Sequence, residues 1–273
     1  MVSLPLALGL ALVAGITLFS AIFAVSRGLD NYAAVDIVWP LQFPGYAAVY
    51  AVLLEGTALR MLLFTALIAA WSLRLATHLY KRIRRDHPRE DPRYSALRES
   101  WKPRFGPRMY LFFVFQGLAG WLLATPFVLP ASNIDPAIGM WELLGIAVGL
   151  ASVAGQASAD RTLRRFKEVP SNRGQVCRNG LWAYSRHPNY FFEWLIWMAI
   201  ATFAAGSPYG WLAFFSPVLM LYLLLKVTGV PPAEERALRT KGELYRNYRR
   251  TTNSFFPGPV RGPAEPNKTD THE

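Results

Sequence analysis

The sequence predicts an all-α integral membrane protein, with seven transmembrane helices and a cofactor and substrate cavity inside the bundle. Two observations carry this. Of 273 residues, 52% are hydrophobic and 14% aromatic, and they fall in runs long enough to cross a bilayer, where about 18 apolar residues suffice. Between the runs lie short, strongly basic segments, which fit the enrichment of Lys and Arg in the cytoplasmic loops of membrane proteins.

Taken in order, the predicted spans are 4–26, 33–55, 58–79, 109–130, 138–157, 190–206 and 209–230. The first has no basic stretch ahead of it and no small-residue cleavage site, so it is expected to be a retained helix rather than a signal peptide. The second carries Asp36, Pro40 and Pro44 and reads as a broken or kinked span facing the bundle interior, because prolines are tolerated there only if neighbours satisfy the freed carbonyls. The fifth contains Gly145, Gly149 and Gly155, spaced to let helices pack closely. Residues 1–257 are expected to form one domain, and 258–273 a disordered tail.

The formal net charge is +11. Ten Lys/Arg lie in 80–108, seven in 157–188 and eight after 230. Seven spans put all three segments on one side, which predicts cytoplasmic basic loops and C-terminus and an outside N-terminus. The charge thus records topology and contact with membrane lipids, and nucleic-acid binding is not expected. Segment 80–108 reads either as a solvated connector touching anionic headgroups or as a loop that also closes over a cofactor. Cys177 is the single cysteine, and His78, His87, His187 and His272 show no ligand spacing, so neither a disulfide nor a metal site is expected.

Ionisable residues inside spans cost a few kcal/mol unless paired or hydrated. Arg74 and Lys226 suit helix-locking pairs or snorkelling. Asp36, Glu55 and Glu193 suit a cavity. Beyond the fifth span, Asp160, Arg164 and Lys167 share a helical face and read either as a basic flank or as a holder of phosphates. Arg186-His187-Pro188 precedes a helix start, whose free N–H groups and positive dipole end form a natural anion site. Asn189 and Glu193 are four apart on that helix, with Tyr184 and Tyr190 beside them. The polar stretch 234–257, with Glu234-Glu235 and Tyr245, reads as a surface helix or as a lid.

Asn172-Arg173-Gly174, the run Gly180-Leu-Trp-x-Tyr-Ser-Arg-His-Pro-Asn-Tyr-Phe-x-Glu-Trp194 and the closing Tyr245-x-x-Tyr-x-Arg-x-Thr-x-x-Phe-x-Pro257 resemble the steroid 5α-reductase family, in a bacterial branch with Val35-Asp-x-x-Trp39. The resemblance covers most of 33–257. It implies an inner-membrane, NADPH-dependent reductase of the double bond of a 3-oxo-Δ4-steroid or related lipid enone. It places cofactor contacts on Asp160, Arg164, Lys167, Asn172, Arg173, Tyr184, Arg186, His187, Asn189, Glu193 and Tyr245. It places substrate contacts on Trp39, Glu55 and Trp71. Where the animal enzymes carry Gln-Glu, this chain has Leu54-Glu55, and no Tyr lies in the middle of 58–79. Glu55, kept protonated by burial, is then the expected carbonyl-polarising acid, with Tyr46 or Asp36 as partner. Methyltransferases of the isoprenylcysteine carboxyl type, which bind S-adenosylmethionine, also combine Arg-His-Pro with Glu-Glu. The basic helix and Asn-Arg-Gly favour the reductase. A non-catalytic transporter is disfavoured by the absence of a two-fold hydropathy repeat.

Overall fold

A computed structural model describes residues 2–86 and 89–262. His87, His272 and residues 263–273 of the tail predicted over 258–273 lie outside the described residues. The helices are α1 (Leu4–Gly28), α2 (Ala34–Leu53), α3 (Ala58–Asp86), α4 (Pro92–Ser100), α5 (Phe105–Ala124), α6 (Val128–Ala131), α7 (Met140–Glu168), α8 (Leu181–Tyr184), α9 (Pro188–Ala204), α10 (Phe215–Tyr222) and α11 (Val230–Thr251). Among the described residues there is no strand, only an isolated bridge between Ser185 and Asn253.

The all-α, membrane-type expectation holds. Five helical segments are long and apolar enough to cross a bilayer: Leu4–Gly28, Ala58–Arg85, Phe105–Ala131, Met140–Glu168 and Gly210–Thr251. In the last, the apolar stretch runs from a 3-10 turn at Gly210 through α10 to a π-helical turn ending at Val227. Beyond it α11 is polar and strongly amphipathic, and lies outside the spanning part. The predicted spans 33–55 and 190–206 are helices too, but fall short of that length and apolarity: α2 carries Asp36, Gln42 and two prolines, and α9 has only 17 residues.

The chain divides into two compact units. Unit 1 comprises Met1–Leu150 and Met198–Pro217, and unit 2 comprises Ala151–Trp197 and Val218–Glu273. In unit 1, α1 turns Ala7, Ala11, Gly15 and Phe19 inward at four-residue spacing, the periodicity of one helical face. Gly15 lies so close to the Tyr46 hydroxyl that a methyl group would overlap it. Gly145 abuts the backbone of Phe203 and Gly149 the side chain of Leu67, while in unit 2 Gly155 abuts the Phe192 ring. These three glycines therefore serve close helix packing, as their spacing predicted.

The second span is one continuous helix rather than a broken one. Pro44 has no N–H, so the carbonyl of Pro40 loses its helical partner. Ser72 on α3 donates its hydroxyl to that carbonyl at 2.6 Å in a buried position. A buried carbonyl left without a donor costs about 1–3 kcal/mol, and this hydrogen bond offsets that cost at Pro44.

Segment 80–108 is not a plain connector. It contains α4, whose N-cap Asp91 accepts the N–H of Arg93 at 3.0 Å, with Pro92 in the first turn. That arrangement satisfies an otherwise orphaned donor at the helix start.

Candidate functional site

The residues predicted to hold a cofactor all lie in unit 2. The local fold starts from Ser185, which Arg186 and His187 follow. Ser185 is fully buried, and its hydroxyl donates to the carbonyl of Phe255 at 2.8 Å while accepting the N–H of His187 at 3.1 Å. The N–H of Arg186 donates to the carbonyl of Asn253 at 2.8 Å. The buried Tyr248 hydroxyl donates to the carbonyls of Trp182 and Ser185. The closing Tyr-x-x-Tyr…Phe-x-Pro segment thus braces the Arg-His-Pro segment through the backbone. Tyr245 and Tyr248 are the buried positions near its start, while most of α11 is exposed.

On this brace, three side chains converge on Glu234. The Arg186 guanidinium meets its Oε1 at 2.7 Å and His187 Nε2 lies 3.4 Å from the same oxygen. Arg249 reaches Oε2 at 3.4 Å. The imidazole stacks on Tyr190 at 5.5 Å between ring centres. Arg186 also donates to the carbonyls of Thr252, at 2.7 Å, and Arg249, at 3.1 Å. Burial raises the Glu234 carboxyl, but hydrogen bonds from His187 and Arg186 and their charges outweigh it and bring it to about 2. Burial pushes the neighbouring Tyr245 hydroxyl up to about 12, with the Glu234 charge adding to the shift. Glu234 is therefore a fixed anion within a cationic surround.

The surround exceeds what that anion neutralises. Arg186, Arg246, Arg249 and Arg250 line one cleft of about 350 Å³. Besides Glu234, the acid that engages this set is Glu243, at 2.7 Å from Arg246. Elsewhere in unit 2, burial and then the nearby Lys167 ammonium lower Lys241. Unit 2 therefore concentrates positive charge that its own carboxylates leave in excess, the condition under which arginines take up phosphate.

The remaining predicted contacts are placed as follows. Asp160 is half-buried, while Arg164, Lys167 and Arg173 are exposed, with Arg164 3.9 Å from Glu168. Asn172 donates to the carbonyl of Phe166 at 2.9 Å, ending α7. Tyr184 is exposed and Asn189 half-buried in the first turn of α9. Glu193 accepts the side-chain amide of Gln156, itself buried, at 2.6 Å.

The residues predicted for catalysis and substrate lie in unit 1. Glu55 is exposed rather than buried; it sits between Leu54 and Gly56 in a link whose backbone is tied to Ala131 and Asn133. Asp36 is not its partner. The two stand at opposite ends of α2, 19 residues and roughly 28 Å apart at 1.5 Å per residue. Asp36 instead accepts Arg93 at 2.5 Å, Arg82 at 3.5 Å and the Tyr94 hydroxyl at 2.7 Å. Tyr46 is buried and donates to Gln42 at 3.3 Å, nine residues from Glu55. Trp39 and Trp71 both pack on Phe43, at 5.0 and 5.5 Å. Trp71 is completely buried.

Sequence reasoning missed two charged residues of unit 1 and undervalued one of unit 2. Arg60 and Glu142 form a buried pair at 3.1 Å. Glu234 was visible only as half of Glu-Glu, although a carboxylate just past the last apolar run is the natural counter-charge for Arg186.

A solved structure similar to this chain was not found. The chain is 26% identical over 280 residues to "Uncharacterized protein C594.04c" of Schizosaccharomyces pombe, with 93% of this chain and 80% of that protein covered. A family model described as "Protein of unknown function (DUF1295)" matches residues 22–252, and the chain belongs to that family.

Proposed function

We propose that this protein is a membrane-embedded reductase that takes NADPH as hydride donor and reduces the double bond of a 3-oxo-Δ4-steroid or another hydrophobic enone, in the manner of the steroid 5α-reductases. The observation that carries the reading is the four-arginine cleft of unit 2, whose positive charge exceeds that of its acids. A dinucleotide phosphate needs such a surround, and S-adenosylmethionine, which has no phosphate, does not. Arg186, Arg246, Arg249 and Arg250 would hold phosphate oxygens, with Lys167 and Arg173 as further cations. Glu234 keeps Arg186 and His187 oriented.

When bound, NADPH supplies a hydride to the enone β-carbon. The chain must then stabilise charge on the substrate oxygen, and Glu55, neutral once bound substrate covers it, is the carboxyl proposed to donate a hydrogen bond to that oxygen. Its exposure leaves it open to an incoming substrate. Purified protein in detergent should consume NADPH only when an enone such as a 3-oxo-Δ4-steroid is added, with loss of the double bond seen by mass spectrometry. Glu55→Gln should lower turnover at least tenfold and leave NADPH affinity unchanged; equal loss of both would remove Glu55 from the reaction. The basic segments are proposed to face the cytoplasm of a bacterial inner membrane, with the N-terminus outside.

One observation favours a second reading. The Arg-His-Pro and Glu-Glu elements shared with the isoprenylcysteine carboxyl methyltransferases meet in space at Arg186, His187 and Glu234. Methyl transfer from S-adenosylmethionine to a carboxylate, without NADPH consumption, would establish that reading instead.

A further inference from the structure

We infer that unit 1 binds an anionic phospholipid by its headgroup, in a cleft between the end of α1 and the start of α5. The cleft has a volume of about 720 Å³, and its lining includes Phe23, Arg27, Asp30, Arg98, Phe105 and Tyr110. Both flanking helices belong to segments apolar enough to cross a bilayer. The cleft lies at their charged ends, where hydrocarbon gives way to headgroups.

Its chemistry is that of an amphiphile site. The Arg98 guanidinium rests over the rings of Phe105 and Tyr32, at 4.9 and 5.3 Å, and cation–π contact of this kind fixes its position. Glu90 holds it from one side at 3.3 Å, and Asp30 from the other at 2.9 Å. The Asp30 side chain is 81% exposed, and an exposed ion pair contributes about 1 kcal/mol or less. A phosphate diester can displace Asp30 while Glu90 keeps Arg98 in place. Arg27, in the last turn of α1, is exposed and adds a second cation. Phe105 and Gly106 open α5, so their N–H groups belong to the first turn, which has no helical acceptors.

The aromatic wall decides between ligands. Phe23 packs edge-on against Tyr110 at 5.2 Å and against Phe113 at 5.6 Å, and continues the apolar face of α1. A free phosphate would leave this wall unused, while a lipid places its phosphate on Arg27 and Arg98 and its acyl chains along Phe23 and Tyr110. A choline headgroup would bring a cation beside Arg27, whereas a glycerol headgroup brings none. The occupant is therefore an anionic lipid such as phosphatidylglycerol, and the site shares no residue with the proposed nucleotide cleft.

Native mass spectrometry of the full-length protein released from mixed phosphatidylglycerol and phosphatidylcholine nanodiscs tests this. Phosphatidylglycerol should be retained about tenfold more than phosphatidylcholine. Arg27→Gln, a change at an exposed position, should remove most of that preference, and Arg27→Lys should keep it. Equal retention of the two lipids by the wild-type protein, or an unchanged preference in Arg27→Gln, would overturn the inference. So would full displacement of phosphatidylglycerol by millimolar inorganic phosphate, which would mark a simple anion site.

Discussion

Arg60 in unit 1 and Arg186 in unit 2 both bind a carboxylate, yet they sit in opposite electrostatic settings. Arg60 is 1% exposed. It spends its donors inside the fold: on Glu142, on the Thr57 hydroxyl, and on the carbonyls of Asn133, Asp135 and Ala137. Glu142 in turn accepts the N–H of Gly139 at 3.1 Å. One buried cation thus closes the segment 133–139, and its charge is matched. Arg186 shares Glu234 with His187 and Arg249 and borders a cleft with two further arginines. A matched buried pair is a structural fastener. A cation cluster in excess of its acids is a place for an anionic ligand.

The largest expected effect breaks the first half of this contrast. Arg60→Ala leaves Glu142 buried without its partner, which costs about 3–5 kcal/mol. Thermal unfolding in detergent should show a collapse of stability, with nucleotide binding by any folded fraction unchanged. A loss below about 1 kcal/mol would mean that water reaches Glu142.

The next effect is smaller and depends on pH. The folded Glu234 carboxyl titrates near 2, below its ordinary 4.5. Its contribution is therefore complete above pH 4.5 and is lost as pH falls from there toward 2, a total on the order of 3 kcal/mol. Melting temperature followed from pH 6 downward should fall more steeply in the wild type than in Glu234→Gln. Parallel curves would show that the arginines do not depend on this acid.

The smallest effect concerns α2. Ser72→Ala leaves the buried Pro40 carbonyl without its donor, a cost of about 1–3 kcal/mol. Pro44→Ala restores an N–H that can reach the Pro40 carbonyl, so Ser72→Ala should cost less in that background. Additive losses in the double-mutant cycle would refute the proposed rescue.

These particulars show what was legible in the sequence. The helices came from hydropathy, and their bounds from the charged ends and, for α9, from Pro188. The glycines of α7 could be read because close packing has a local signature. Helix α4 was missed although Asp91-Pro92 is a helix-start signal, since net charge dominated the reading of that loop. The rest depended on contacts between distant residues. Ser72 satisfies Pro40 across 32 positions, and Glu234 meets Arg186 across 48. The exposure of Glu55 depends on where its link is tied, which no local pattern reports.

The central claim is that the arginine excess of unit 2 holds a phosphate-bearing nucleotide. Thermal-shift titration of the detergent-purified protein with NADPH and with S-adenosylmethionine, on the wild type and Arg250→Ala, addresses it most directly. Stabilisation by NADPH alone, weakened severalfold in the variant, is the predicted result. Stabilisation by S-adenosylmethionine alone, or by NADPH equally in both proteins, would contradict it.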